Sequence, residues 1–112
     1  MRMIRIVISR NSAGSISSMK IDGHSGYAEQ GADIICSAVS VTAYTAAGAL
    51  EDLAGLKGCY SESSGQMTIS LPDGMDSRQA ETAAIIMETT AIGFKQIELS
   101  YGKYVSVMDE EV

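Results

Sequence analysis

The feature that most constrains the fold is an apolar segment at residues 33–54, in which alanine and aliphatic side chains dominate and no proline occurs. Asp33 is a favourable N-cap and Gly55 a favourable stop, so the segment predicts a helix of about 22 residues, or about 33 Å. We expect its buried stripe to be Ile35, Val39, Thr42, Ala46, Ala49 and Leu53. Such a stripe needs a sheet or a second helix to cover it.

Two strands are predicted before this helix. Ile4, Ile6 and Ile8 alternate with residues 5, 7 and 9 (Arg, Val and Ser), which indicates a strand with one buried face. Residues 16–23 alternate in the same way and predict a second strand, antiparallel to the first. His24 follows the end of this second strand, at the start of a glycine-rich segment that contains Gly23, Gly26 and Gly31.

After the helix, residues 58–63 and 66–71 flank Ser64-Gly65 and predict a hairpin. Asp76 and Gln79 have capping-box spacing and predict a second helix over residues 76–101.

Gly93 lies inside this second helix and weakens the prediction of an unbroken helix by about 1 kcal/mol of propensity. A last strand is expected at residues 104–108, followed by a solvated acidic tail at residues 109–111.

The element order ββαββαβ predicts an α+β fold, a two-layer mixed β-sheet with two helices stacked on it. With 112 residues, the chain suits a single domain over residues 1–112. The two unpaired edges of the expected sheet leave room for a homodimer.

The candidate chemistry lies between the second strand and the first helix. This junction holds the only histidine, His24, and one of two cysteines, Cys36. Cys36 is expected in the first helical turn, where unpaired N–H groups and a partial positive charge favour a thiolate. A flexible connection from His24 could bring the imidazole back over the helix start, so nucleophile, base and anion-stabilising donors could converge.

A plainer interpretation of the same residues stays open. A histidine at a strand end is usually a polar surface residue, and a helical cysteine is usually a small buried hydrophobe. Cys59 is interpreted as a core thiol, and both cysteines are expected to be reduced. A metal site from His24, Cys36 and Asp22 or Cys59 lacks the paired spacing of structural zinc sites, so no metal or other cofactor is expected.

The sequence Gly-His-Ser-Gly-Tyr at residues 23–27, followed by Gly-Ala-Asp-Ile-Ile-Cys-Ser-Ala-Val-Ser at residues 31–40, resembles the ribosomal-processing cysteine protease family, Prp. The resemblance extends over essentially the whole chain in length and order of elements. It implies a small cytoplasmic bacterial cysteine protease, a homodimer, that removes the N-terminal extension of a large-subunit ribosomal protein. In such a protease His24 takes the base position and Cys36 the nucleophile position.

The resemblance also implies supporting roles within the motif. The family's motif Asp and Ser map onto Asp33 and Ser40. Asp33 is interpreted as a helix cap and positioning residue, with orientation of His24 or a bond to the substrate backbone as alternatives. Ser40 either bonds a helix carbonyl or reaches the sulfur or the substrate.

The glycine-rich connection is expected to act as a lid. It is expected to span residues 23–32, where Gly23 and Gly31 are supporting positions and Gly26 and Gly31 permit backbone conformations that other residues resist. Ser25, Gly26 and Tyr27 form the lid loop, which we expect to close over bound substrate. Tyr27 either contacts the substrate or anchors the loop.

Charge and hydropathy limit the partners. A net charge of −6 argues against a nucleic-acid-binding surface, because such surfaces need clustered lysine and arginine. The acidity suits a basic ribosomal protein, or merely keeps the chain soluble. No segment is expected to reach membrane-spanning length, so a cytoplasmic protein is predicted. The rival interpretation is a non-catalytic ribosome-assembly or adaptor protein that binds a basic partner.

Overall fold

The computed structural model describes residues 3–23 and 32–112. The first half holds β1 (Ile4–Arg10), β2 (Ile16–Asp22) and α1 (Ala32–Asp52). The second half holds β3 (Tyr60–Ser63), β4 (Gln66–Ser70), α2 (Ser77–Tyr101) and β5 (Val105–Glu111). The predicted order ββαββαβ is confirmed.

The strands form one mixed sheet in the order β3-β4-β2-β1-β5. β1 pairs antiparallel with β2 and parallel with β5, and β4 joins β2 to β3 through antiparallel pairing. The alternating isoleucines of β1 are fully buried under the helices, whereas Arg5 and Lys20 are exposed on the opposite face. Both helices therefore cover the same face of the sheet, which gives the expected two layers.

The buried stripe of α1 differs in part from the expected one. Ile35, Val39, Ala43, Ala46 and Leu50 are buried, so the stripe advances by steps of four and three residues as a straight helix requires. Thr42 and Ala49 lie half-buried at one side of this stripe. The prediction was wrong for Leu53, which lies beyond the helix end and is 71% exposed.

α1 also corrects the expectation that no segment approaches membrane-spanning length. Residues 34–52 of this helix are a 19-residue stretch with a mean hydropathy of 1.4, which is long and apolar enough to cross a membrane. Only 28% of this stretch is buried, in the stripe that packs on the sheet, so the core explains part of its apolar composition. A cytoplasmic location stays a prediction.

α2 begins and continues as the sequence predicts. Asp76 accepts a hydrogen bond from the backbone N–H of Gln79 at 2.8 Å, and the Gln79 side chain accepts one from Asp76 at 3.1 Å. Gly93 does not interrupt the helix. A Cβ placed on it would lie 3.4 Å from Cγ2 of Thr42, so the glycine lets α1 approach closely.

The two helices run antiparallel. Thr42 near the middle of α1 lies beside Gly93 in the second half of α2. The turn after α1 lies beside the start of α2, where Gln79 approaches Gly55. The N-terminal end of α1 is consequently at the same end of the layer as the C-terminal end of α2.

The predicted acidic tail is instead part of a strand. β5 continues to Glu111, with Asp109, Glu110 and Glu111 paired in register with the last three residues of β1. Asp109 accepts a hydrogen bond from Arg10 Nε at 2.9 Å, and Glu110 accepts one from the Ser9 hydroxyl at 3.1 Å. These partners on β1 compensate the acidic side chains, which explains why a charged sequence continues the sheet.

Candidate active site

β2 ends two residues before His24, the candidate base. Gly23 follows β2, is buried, and has a φ of +90°, a conformation that side chains with a Cβ rarely adopt. β2 therefore ends at a backbone position that favours glycine, directly before His24 in sequence. His24 itself lies outside the described residues, as do Ser25, Gly26, Tyr27 and Gly31.

Cys36 lies near the start of α1, slightly later than expected. Because the helix begins at Ala32, Cys36 is its fifth residue and stands just past the first turn. Its side chain is half-buried and packs against the core. The helix macrodipole acts mainly within the first turn, so its effect on the thiol is weaker than a first-turn position implies.

Asp33 is placed by its backbone inside α1 rather than ahead of it. The expected N-cap position for Asp33 is therefore wrong by two residues, because the helix starts one residue before it. The Asp33 side chain lies outside what the structure describes, so its orienting and substrate-binding roles stay predictions.

Ser40 lies one turn after Cys36 on the same flank of α1. Both side chains are half-buried, between the sheet-facing stripe and solvent. The spacing of four residues places their side chains next to each other along the helix. The predicted adjacency of this serine to the thiol is thus a consequence of the helix.

Cys59 has a different environment from Cys36. It directly precedes β3, is only 7% exposed, and its Sγ lies 3.9 Å from the carbonyl oxygen of Leu56. Burial raises the pKa of the Cys59 thiol. No disulfide joins Cys36 and Cys59, and Cys59 has the buried position expected of a core thiol.

Two tyrosines that the sequence did not single out meet farther along α1 from Cys36. Tyr44 continues the flank of Cys36 and Ser40, and its ring meets Tyr60 of β3 edge to face with centroids 5.7 Å apart. The Tyr60 hydroxyl donates a 2.6 Å hydrogen bond to Glu62. Burial, together with this hydrogen bond, raises the pKa of Tyr60. The spacing of eight residues from Cys36 to Tyr44 was the available indication, but nothing local identified Tyr60 as the partner.

Among residues 3–23 and 32–112, no three His, Cys, Asp or Glu side chains are grouped as metal ligands would be. Cys36 is the candidate nucleophile that the sequence predicted. A half-buried thiol near a helix start, with the strand that leads to His24 ending nearby in sequence, suits nucleophilic catalysis.

The comparisons with known proteins identify the class. The profile of the family described as "Cysteine protease Prp" matches residues 3–106. The chain therefore belongs to the cysteine protease Prp family, and its enzyme class is cysteine protease. A relative from Bacillus subtilis (strain 168), "Ribosomal processing cysteine protease Prp", is 28% identical over 101 residues, covering 88% of this chain and 90% of that protein.

Solved structures share the fold. SMU.848 from Streptococcus mutans is 26% identical with a TM-score of 0.85, covering 99% of this chain and 97% of that one. The protease Prp from S. aureus in complex with a substrate peptide is 22% identical with a TM-score of 0.85, covering 96% of this chain and all of that one. At this level of identity the second likeness shows the fold alone.

Proposed function

We propose that this chain removes the N-terminal extension of a large-subunit ribosomal protein, with Cys36 as nucleophile and His24 as general base. Membership of the Prp family supports the proposal, and the Bacillus subtilis relative is named for ribosomal processing. The observation that carries it is the position of Cys36, half-buried near the start of α1. His24 is the only histidine in the chain, so no other imidazole can serve as the base.

The reaction follows from these two groups. The Cys36 thiolate attacks the carbonyl carbon of the scissile peptide, and N–H groups near the helix start stabilise the oxyanion. The protonated His24 gives its proton to the leaving amine, which departs as the new N-terminus of the mature chain. The extension remains as a thioester on Cys36 until water, deprotonated by His24, attacks and restores the thiol.

The experiment uses peptides that span the cleavage site of a ribosomal-protein extension. Wild-type protein should cut them, and Cys36→Ala and His24→Ala should each lower kcat by several orders of magnitude while the circular dichroism spectrum stays unchanged. Cys59→Ala is the matched thiol control and should retain activity. Loss of cleavage in Cys59→Ala, with cleavage kept in Cys36→Ala, would refute the assignment.

The acidity of the chain supports a basic substrate. The net charge of −6 should attract the basic mature region that follows the cut. Exposed charges act weakly and are screened by salt, so the effect should appear mainly in KM at low ionic strength. Peptides with neutral residues after the cut are the comparison.

A second copy of the chain is the proposed partner for the outer helical stripe, which we define as Ile34, Val41, Ile85, Ile92 and Leu99. These side chains are 60–79% exposed and recur at intervals of seven residues along each helix. An uncharged surface on an acidic chain is where two like-charged copies repel least. Sedimentation should detect a dimer in the wild type and a monomer in a Val41→Lys, Ile92→Lys double variant. A wild-type monomer at micromolar concentration would refute the proposal.

A further inference from the structure

We propose that the substrate's extension lies along the flank of α1 that carries Cys36, beside β3, and that Tyr44 and Tyr60 form the subsite for an apolar side chain about four residues before the scissile bond. This inference rests on the proposed function and assigns its substrate groove. The occupant is an extended apolar peptide segment joined to the bond that Cys36 attacks. The groove is defined as the space between this flank and β3.

The flank is set by helical spacing. Cys36, Ser40, Tyr44 and Ala47 follow one another at intervals of four, four and three residues, so they share one side of α1. The first, second and fourth are half-buried, and Tyr44 is 50% exposed. Thr42, on another side of the helix, packs toward α2. The Cys36 flank therefore faces away from α2.

β3 closes the other side of the groove. It is an edge strand, and within the described residues its ladder partner is β4 alone. Three of its four side chains are exposed, and its outer backbone groups can pair with an added strand. An extended peptide in the groove would therefore find backbone donors and acceptors along its length.

Tyr44 and Tyr60 join the two sides. Their rings meet at an interplanar angle of 67°, and the Tyr60 ring is held in place by its hydrogen bond to Glu62. Next to the pair lies a cavity of about 290 Å³, whose lining includes Ala47, Leu56 and Cys59. Aromatic and aliphatic walls favour an apolar side chain, and the small volume admits a side chain rather than a whole ligand.

Glu51 also lines this cavity and is exposed. Its carboxylate could instead form an ion pair with a lysine of the substrate at the same position. The two chemistries can be separated, because a lysine preference would fall with salt and an apolar preference would not. We commit to the apolar side chain, since most of the lining is uncharged.

The distance along the helix gives the position in the substrate. Tyr44 lies eight residues after Cys36, or about 12 Å at about 1.5 Å per residue. An extended peptide covers that distance in about four residues at about 3.3 Å each. Because side chains alternate along a strand, the second and fourth residues before the cut point to the same side. The fourth is the one that reaches the tyrosines.

The test crosses enzyme variants with substituted peptides. Residues two to six before the cut are replaced one at a time by alanine, and kcat/KM is measured for wild type, Tyr44→Ala and Tyr60→Ala. In the wild type, alanine about four residues before the cut should cost about tenfold, mostly through KM. Each tyrosine variant should lose about as much kcat/KM on the parent peptide. It should lose little more on the substituted peptide, because the effects of substituting two groups in contact are not additive.

Met108→Ala is the control variant, since Met108 is 57% exposed on β5 at the opposite edge of the sheet. It should keep the wild-type response to every peptide. Three results would each overturn the subsite. The losses of kcat/KM from a tyrosine variant and a substituted peptide could add, no alanine near the fourth position could lower kcat/KM, or the enzyme could prefer lysine there in a salt-sensitive way. If Tyr60→Ala fails to fold, the exposed Tyr44 supplies the same comparison.

A binding measurement separates this inference from the proposed function. Fluorescence anisotropy of labelled peptides on Cys36→Ala reports groove binding without turnover. If that variant still cleaves, the proposed nucleophile is wrong whatever the groove does. A second outcome is that Cys36→Ala is inactive and binds the peptide with an affinity that changes neither when Tyr44→Ala is added nor when the residue four before the cut is replaced by alanine. In that case only the groove assignment is wrong.

Discussion

Arg10, at the end of β1, donates two hydrogen bonds to the carboxylate of Glu88 on α2, at 2.7 and 3.1 Å. A third bond from Arg10 Nε reaches Asp109 of β5 at 2.9 Å, and Lys95 lies 3.3 Å from the same carboxylate. One guanidinium therefore joins both layers of the fold. Arg10 lies at the end of the sheet remote from Gly23. Its ion pairs should therefore affect the stability of the fold and not the proposed cleavage reaction.

Arg10→Ala should lower the free energy of unfolding by about 1 kcal/mol at pH 7, because the carboxylates are partly exposed and screened by solvent. The Arg10 hydrogen bonds lower the pKa of both Glu88 and Asp109 below their ordinary values of 4.5 and 3.8. A lowered carboxyl pKa stabilises the fold above the ordinary value, and this stabilisation is lost as the pH falls through the folded-state pKa. Urea unfolding at pH 7 and pH 3 should thus show a difference between variant and wild type that shrinks in acid.

Arg78, exposed in the first turn of α2, provides the matched arginine. Arg78→Ala should change stability by less than about 0.5 kcal/mol at either pH. An equal effect of the two substitutions, or a difference for Arg10→Ala that grows in acid, would contradict the role of the ion pairs.

Deletion of residues 109–112 should destabilise the protein by about 2–4 kcal/mol, since it removes several backbone hydrogen bonds of β5 as well as the Asp109 partner of Arg10. One of these bonds runs from the Val112 N–H to the Arg10 carbonyl at 2.9 Å. Thermal unfolding would measure the loss. A deletion variant as stable as the wild type would show that these residues behave as the solvated tail expected from their charge.

The contrast between α2 and β5 explains which parts of the fold could be predicted. The capping box of Asp76 and Gln79 is local, and the Ser64-Gly65 turn adopts positive φ at both residues, as a tight hairpin requires. Such preferences act within a few residues and are visible in the sequence. The partners of Asp109 lie far away along the chain, so an acidic run could not be told from a tail.

The candidate site divides in the same way. The nearness of Cys36 to Ser40 follows from helical periodicity alone, and the sequence predicted it. The pairing of Tyr44 with Tyr60 depends on where α1 lies relative to β3, which is a contact between residues 16 apart in sequence and not a local preference. The sequence therefore predicted which side of α1 carries Cys36 and Ser40, but not that Tyr60 lies opposite that side.

Gly23→Ala should reduce cleavage by at least about tenfold without unfolding the protein. Gly23 has a φ of +90°, and an alanine there costs about 1–2 kcal/mol in that conformation or shifts the backbone. Since His24 is the next residue, a shift would move the proposed base relative to Cys36. The measurement is kcat/KM together with the free energy of unfolding.

Gly14→Ala controls for backbone strain. Gly14 has a similar φ of +85° in the turn between β1 and β2, where an added Cβ would meet no atom within 4 Å. The two substitutions should destabilise similarly, and only Gly23→Ala should slow cleavage. Equal activity losses would mean that Gly23 supports the fold and does not position His24.

The last prediction concerns the two thiols. Iodoacetamide at pH 7 should modify Cys36 and spare Cys59 in the folded protein, because Cys36 is half-buried near a helix start while Cys59 is 7% exposed with a raised pKa. Mass spectrometry of digested protein would locate the label. His24→Ala should slow the modification of Cys36 if His24 accepts its proton, and should leave Cys59 unaffected. In urea both cysteines should react at similar rates, because unfolding removes the difference in burial. Faster labelling of Cys59 than of Cys36 in the folded state would argue that the half-buried thiol is not the reactive one, and the proposed nucleophile would then have to be abandoned.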